Sequence, residues 1–65
     1  MTWELYEVWA EDDVGHEELV DTTRSLKEAK ELAKNHLEAE GVEAVTIYQE
    51  TETGDTVEIE RLTLY

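Results

Sequence analysis

Residues 25–41, SLKEAKELAKNHLEAEG, decide the fold. Ser25 followed three residues later by Glu28 has the form of a capping box. The serine hydroxyl can accept from an early helical N–H, and the glutamate can reach back to the Ser25 N–H. Leu26, Ala29, Ala33 and Leu37 recur at helical spacing with Leu32 on the flank, so one stripe of the segment is apolar. Gly41 stands where a left-handed residue would close the helix. The spacing predicts a helix over Leu26–Glu40, about 22 Å long at roughly 1.5 Å per residue. This segment is also electrically balanced. Residues 24–40 hold four acids (Glu28, Glu31, Glu38, Glu40) and four bases (Arg24, Lys27, Lys30, Lys34). The chain has 18 acids and 5 bases, so fourteen acids and a single base, Arg61, stand outside the helix. The net charge of −13 therefore belongs wholly to the strands and loops.

A chain of 65 residues makes one domain, residues 1–65, with a small core. There is no cysteine, hence no disulfide, no thiolate chemistry and no cysteine zinc site. Apolar residues are periodic and bounded by cap and turn signals, which argues against disorder despite the high charge. The N-terminal MTWELYEVW has neither a basic region nor a long apolar run. A signal peptide and a membrane span are not expected, and a cytoplasmic protein is. A charge of −13 excludes nucleic acid and anionic membrane as direct ligands and favours a basic partner.

Outward from the helix, residues 2–10, TWELYEVWA, are rich in aromatic and β-branched types and read as a first strand. Trp3, Leu5, Glu7 and Trp9 share one face and Tyr6, Val8 and Ala10 the other. Either a bulge near Glu7 shifts the register, or the strand is apolar on both faces. Residues 11–16, EDDVGH, form a polar loop with Gly15 available for positive φ, and residues 17–23 a second strand. Beyond the helix, residues 43–51 form a third strand, ETGD a short hairpin loop around Gly54, and residues 56–64 a fourth strand. In the last, Val57 and Ile59 alternate with Glu58 and Glu60. The apolar phase then flips to Leu62 and Leu64 past Arg61.

Hairpin, helix, hairpin is an α+β, ββαββ arrangement: a four-stranded sheet with one helix packed on one face. With the longest and most apolar strands in the centre, the first and last run parallel and the expected order is 2-1-4-3, as in the β-grasp. Here the chain resembles the immunoglobulin-binding domain of protein G. The shared features are Met1-Thr2-Trp3 with Leu5, Gly41-Val42-Glu43 after the helix, and a TETGDT turn before an alternating last strand. The resemblance implies the β-grasp layout. It does not extend to antibody binding, because the third strand lacks the tryptophan that protein G carries there.

Asp12, Asp13, His16, Glu17 and Glu18 cluster around the first loop but lack the spacing of a calcium loop, and no metal is expected. Ser25, the only serine, is accounted for by the cap. His36 falls beside the apolar stripe, with no nucleophile to serve. No constellation meets the requirements of an active site, so neither enzyme activity nor a cofactor is expected.

Alternate strand residues lie roughly 6.8 Å apart on one face. Glu58 with Glu60, and Glu50 with Glu52, are therefore read as rows of carboxylate, extended by Asp12, Asp13, Glu17 and Glu18. Duplex DNA presents about one charge per 1.7 Å, answered by rows of lysine and arginine on its binders. The expected function is an acidic DNA mimic that occupies the basic groove of a nucleic-acid-binding protein. In physical character the chain resembles the small inhibitors that phages and mobile elements make against CRISPR–Cas and restriction systems. That resemblance implies a target such as a CRISPR–Cas subunit, met in the host cytoplasm. The alternatives are a small β-grasp adaptor that binds through its sheet, and a halophile-type acidic surface. Glutamate outnumbers aspartate 14 to 4 here, which places the halophile reading second. In the 2-1-4-3 order, Tyr6, Val8, Leu62 and Leu64 would meet on the uncovered sheet face as an apolar patch for the target or for a second copy. The alternative is that bulges turn these residues into the core.

Overall fold

The structure, a computed structural model, describes residues 4–64. Thr2 and Trp3, expected to open the first strand, lie outside them. The elements run β1 (Leu5–Glu11), β2 (Glu17–Thr23), α1 (Leu26–Leu37), β3 (Ala44–Glu50) and β4 (Thr56–Thr63). This is the ββαββ, α+β arrangement, with one four-stranded sheet and one helix.

Both hairpin loops are built alike. Asp12 N–H donates to His16 O (3.1 Å) and Gly15 N–H to Asp12 O (3.2 Å); Thr51 N–H donates to Asp55 O (2.8 Å) and Gly54 N–H to Thr51 O (3.0 Å). Gly15 and Gly54 have φ of 88° and 87°. A left-handed glycine at that place is what a three-residue hairpin loop requires.

At the start of α1, Ser25 is extended and its Oγ accepts from Glu28 N–H at 3.3 Å. The Ser25 N–H donates to Thr23 Oγ1 at 3.3 Å, so Thr23 takes the part that the capping box gives to Glu28. Ser25→Ala is expected to cost about 1 kcal/mol, the usual worth of an N-cap. Urea denaturation checks it, and an unchanged midpoint would show that the serine does not hold the helix start. The helix ends earlier than Gly41 implies. Glu38 is the C-cap; its N–H donates to Asn35 O (3.3 Å), and the Ala39 N–H donates to His36 O (3.0 Å). Gly41, at φ 88°, instead turns the chain between Ala39 O and the N–H of Val42.

The strand order is β2-β1-β3-β4, with every neighbouring pair antiparallel. The expected order 2-1-4-3 and the parallel pairing of first and last strands are therefore corrected, and with them the β-grasp layout. The reason lies in β3. From Ala44 to Gln49 it carries no charge, and Ala44, Val45, Thr46 and Ile47 are all buried, so it tolerates cover on both faces. Strand β4 places glutamates at alternate positions, and its Val57 remains 50% exposed. Charge on an outer strand also discourages pairing with other chains. β2 and β3 run parallel to each other with β1 between them, and α1 is the crossover that joins them.

The helix lays Ala29 and Ala33 on Tyr6 and Val8 of β1 and on Val45 and Ile47 of β3, all buried. Leu26, Leu32 and Leu37 close the margins of this core. The expected stripe of the helix is the one that is used. β1 has no bulge at Glu7 and carries apolar side chains on both faces. The bulges lie in its neighbours. Val8 pairs with Asp21 and Trp9 with Leu19, leaving Val20 extra; Ile47 pairs with Glu60 and Tyr48 with Glu58, leaving Ile59 extra. These insertions turn Val20 and Leu62 toward the core, against which both pack.

Candidate functional site

The uncovered face of the sheet follows from the register. Tyr6 and Val8 face the helix, so Leu5, Glu7, Trp9 and Glu11 of β1 face away from it. Trp9 lies opposite Thr46 and Leu19, Glu7 opposite Tyr48 and Thr22, and Glu11 opposite Glu17. On the far side Thr46 pairs with Arg61, Tyr48 with Glu58 and Glu50 with Thr56. The face thus gathers Glu7, Glu11, Glu17, Glu50 and Glu58 around Trp9 and Tyr48, with Arg61 as the one base the strands contribute.

Arg61 reaches from β4 across β3 to β1. Its Nη2 donates to Glu11 Oε2 at 2.5 Å, its Nη1 donates to Thr46 Oγ1 at 3.3 Å, and Nη1 lies 3.9 Å from Glu17 Oε1. Thr46 is only 1% exposed on this uncovered face, and the guanidinium satisfies its hydroxyl. The hydrogen bond that Arg61 donates to Glu11 and the charge of Glu11 both strengthen the hold of Arg61 on its proton. Beside this pair the Trp9 and Tyr48 rings meet edge to face, with centroids 6.4 Å apart and planes at 88°. Trp9 Nε1–H donates to Glu7 Oε1 at 3.1 Å, which fixes the indole. Desolvation raises the pKa of the Tyr48 phenol above its ordinary value, and the charges of Glu17 and Glu58 add to the shift. Glu7, Trp9, Glu17, Tyr48 and Thr56 line an open groove of about 250 Å³.

The opposite face differs in charge. Lys27, Lys30 and Lys34 all lie on α1, and Lys30 Nζ comes within 3.9 Å of Glu60 Oε2. His36 Nε2 lies 4.0 Å from Asp21 Oδ2 at the border of the core, as its position beside the apolar stripe suggests.

Comparison with protein family models, curated proteins and solved structures finds no match to this chain.

Several expected site residues are placed elsewhere than the sequence implies. Tyr6 and Val8 are core residues under the helix, Leu62 packs against that core, and Leu64 is 55% exposed beyond the end of β4. They form no patch on the uncovered face, because β1 and β4 are not neighbours and the bulge at Ile59 shifts the phase of β4. The same bulge breaks the row of Glu58 and Glu60: Glu58 pairs with Tyr48 on the open face, while Glu60 turns to Lys30. Glu50 lies on the open face, while Glu52 is exposed in the β3–β4 loop, so these too form no row. Glu17 joins the open face; Glu18, opposite Ala10, does not. Asp13 is exposed in the first loop.

Asp12 is occupied by the loop itself. Its Oδ1 accepts from His16 N–H (2.9 Å) and Val14 N–H (3.0 Å). These bonds, that from His16 foremost, hold the carboxyl below its ordinary value of 3.8. A carboxyl lowered on folding stabilises the fold above its ordinary value, and the contribution vanishes as pH falls through the lowered one. Asp12→Asn should therefore be less stable than the parent at neutral pH, with the gap closing once the pH drops below 3.8. Urea denaturation of both proteins across that window checks the sign. A gap that persists in acid would assign the loss to loop geometry alone.

Among the described residues no group of three or more histidines or carboxylates is placed to share a metal ion. No helix among them is long and apolar enough to cross a membrane. The residues that sequence reasoning passed over are Glu7, Trp9, Glu11, Tyr48 and Arg61. The period-two pattern of β1 already set Glu7, Trp9 and Glu11 on one face. Only the pairing of β1 with β3 brings Tyr48 and Arg61 beside them.

Proposed function

We propose that the protein is an acidic inhibitor that competes with DNA for the basic groove of a nucleic-acid-binding protein. The observation that carries this is the segregation of charge. Every base but one lies in residues 24–40, while the uncovered sheet face and both hairpin loops are acidic. The one remaining base, Arg61, is held by Glu11 and Glu17. The molecule extends 38 Å along its longest axis and carries −13. That is about one net charge per 3 Å, near the roughly 3.4 Å spacing along one DNA strand and about half the linear density of the duplex. A basic groove would meet a charge density of the kind it is built to neutralise, and long-range attraction would speed the encounter. A CRISPR–Cas effector or a restriction enzyme is the target class that the resemblance to small phage-borne inhibitors implies.

A second proposal, a small adaptor that binds through its sheet, draws support from Trp9 and Tyr48 at the centre of the same face. The two differ in what holds the partner, charge or aromatic surface. The test is capture on immobilised protein from a nuclease-treated lysate, followed by elution with duplex DNA. Release of DNA-binding proteins by the duplex is the expected result. Captured proteins that bind duplex while still held would rule out competition for one groove.

A further inference from the structure

We propose that the groove on the open sheet face receives an arginine side chain of the basic partner, its guanidinium seated against Trp9 and Tyr48 and paired with Glu7 and Glu17. This rests on the inhibitor reading above and names the contact which that reading leaves open.

The face already holds one guanidinium. Arg61 of the same chain lies on it, donating to Glu11 and to Thr46, with Glu17 close by. Planar forked donors, carboxylates and a hydroxyl fit together there. The adjoining groove offers a related set of groups. Glu7 and Glu17 supply carboxylate, Thr56 a hydroxyl, and Trp9 and Tyr48 aromatic surface, around an open volume of about 250 Å³. Aromatic faces are the negative part of the ring quadrupole and attract cations. The Trp9 ring is already oriented by its bond to Glu7, so little order remains to be imposed on binding.

Arginine suits this set better than lysine. A guanidinium stacks on a ring and donates in its own plane at once, whereas an ammonium is a compact, strongly hydrated point charge. A second copy suits it poorly face to face, since five carboxylates would oppose five. The face carries Glu7, Glu11, Glu17, Glu50 and Glu58 against Arg61, which sets its complement as a basic surface.

The experiment is calorimetric titration of the protein with hexa-arginine and with hexa-lysine peptides. The parent should prefer hexa-arginine. Trp9→Leu should weaken hexa-arginine roughly two- to thirty-fold, the range of a cation–π contact. Trp9→Phe, which keeps an aromatic face, should retain most of the affinity, and an unchanged urea midpoint of the leucine variant separates loss of the ring from unfolding. The pair Glu7→Gln with Glu17→Gln should weaken binding more than Glu31→Gln with Glu38→Gln, an equal charge change on the helix side. Equal losses from the two pairs, with no effect of Trp9→Leu, would overturn the site and leave inhibition by charge alone standing. Binding that needs Trp9 but ignores salt would keep the site and remove the charge-based reading. Self-association of the protein that Trp9→Leu abolishes would make a second copy the occupant and overturn the proposal.

Discussion

Ile47→Ala is expected to destabilise the domain by about 2–5 kcal/mol, enough to leave much of so small a protein unfolded. Ile47 is fully buried in β3, pairs with Val8, and lies under Ala29 and Ala33 of the helix. Truncation removes apolar surface from the layer between helix and sheet. The cavity cannot close easily, because its walls are a central strand on one side and alanine on the other. Leu64→Ala, by contrast, should change stability by only about 0.5 kcal/mol, the usual scale of an exposed substitution. The two side chains are of similar size, so the comparison isolates burial. Urea denaturation of both variants decides it. Equal costs would mean that Leu64 has joined the core and that the end of β4 folds over the sheet.

Ala33→Leu tests the same layer from the helix. Ala29 and Ala33 are one turn apart and both fully buried, so α1 meets β1 and β3 through its two smallest apolar residues. A leucine at position 33 has nowhere to go without lifting the helix, and overpacking of this kind costs about 1–3 kcal/mol. Leu32, partly buried at the margin of the core, should accept methionine for less than about 1.5 kcal/mol. Thermal unfolding of the two variants checks the contrast. A stable Ala33→Leu protein would mean that the helix stands further from the sheet than this packing requires.

Local chemistry was legible in the sequence and the global pairing was not. Ser25, the apolar stripe of α1 and the glycines of both hairpin loops act through neighbours a few residues away, and each behaves as its spacing implies. Strand order depends on which strand can be covered twice. The alternation of Val57, Glu58, Ile59 and Glu60 looks like a half-buried central strand, but the same pattern serves an edge. The shorter run from Ala44 to Gln49 is the better centre because it is uncharged. The bulge at Val20 has no counterpart in the sequence pattern, and the one at Ile59 shows there only as the flip of apolar phase to Leu62 and Leu64, yet it moves Glu60 to the helix side and dissolves the row with Glu58. The candidate site was half visible for the same reason. Glu7, Trp9 and Glu11 share a face by strand period alone, whereas Tyr48 and Arg61 join them only through pairing of β1 with β3.

If the sheet face is what a basic groove recognises, its carboxylates must set the salt dependence of the complex. The decisive measurement is the affinity for the captured target across a series of salt concentrations. It compares the parent with a variant carrying Glu7→Gln, Glu17→Gln, Glu50→Gln and Glu58→Gln. The parent should lose affinity steeply and linearly in log Kd against log salt, as ion release demands, and the variant should bind more weakly with a shallower slope. A parent complex whose affinity is flat from low to moderate salt, or a variant with the parent's slope, would contradict the account.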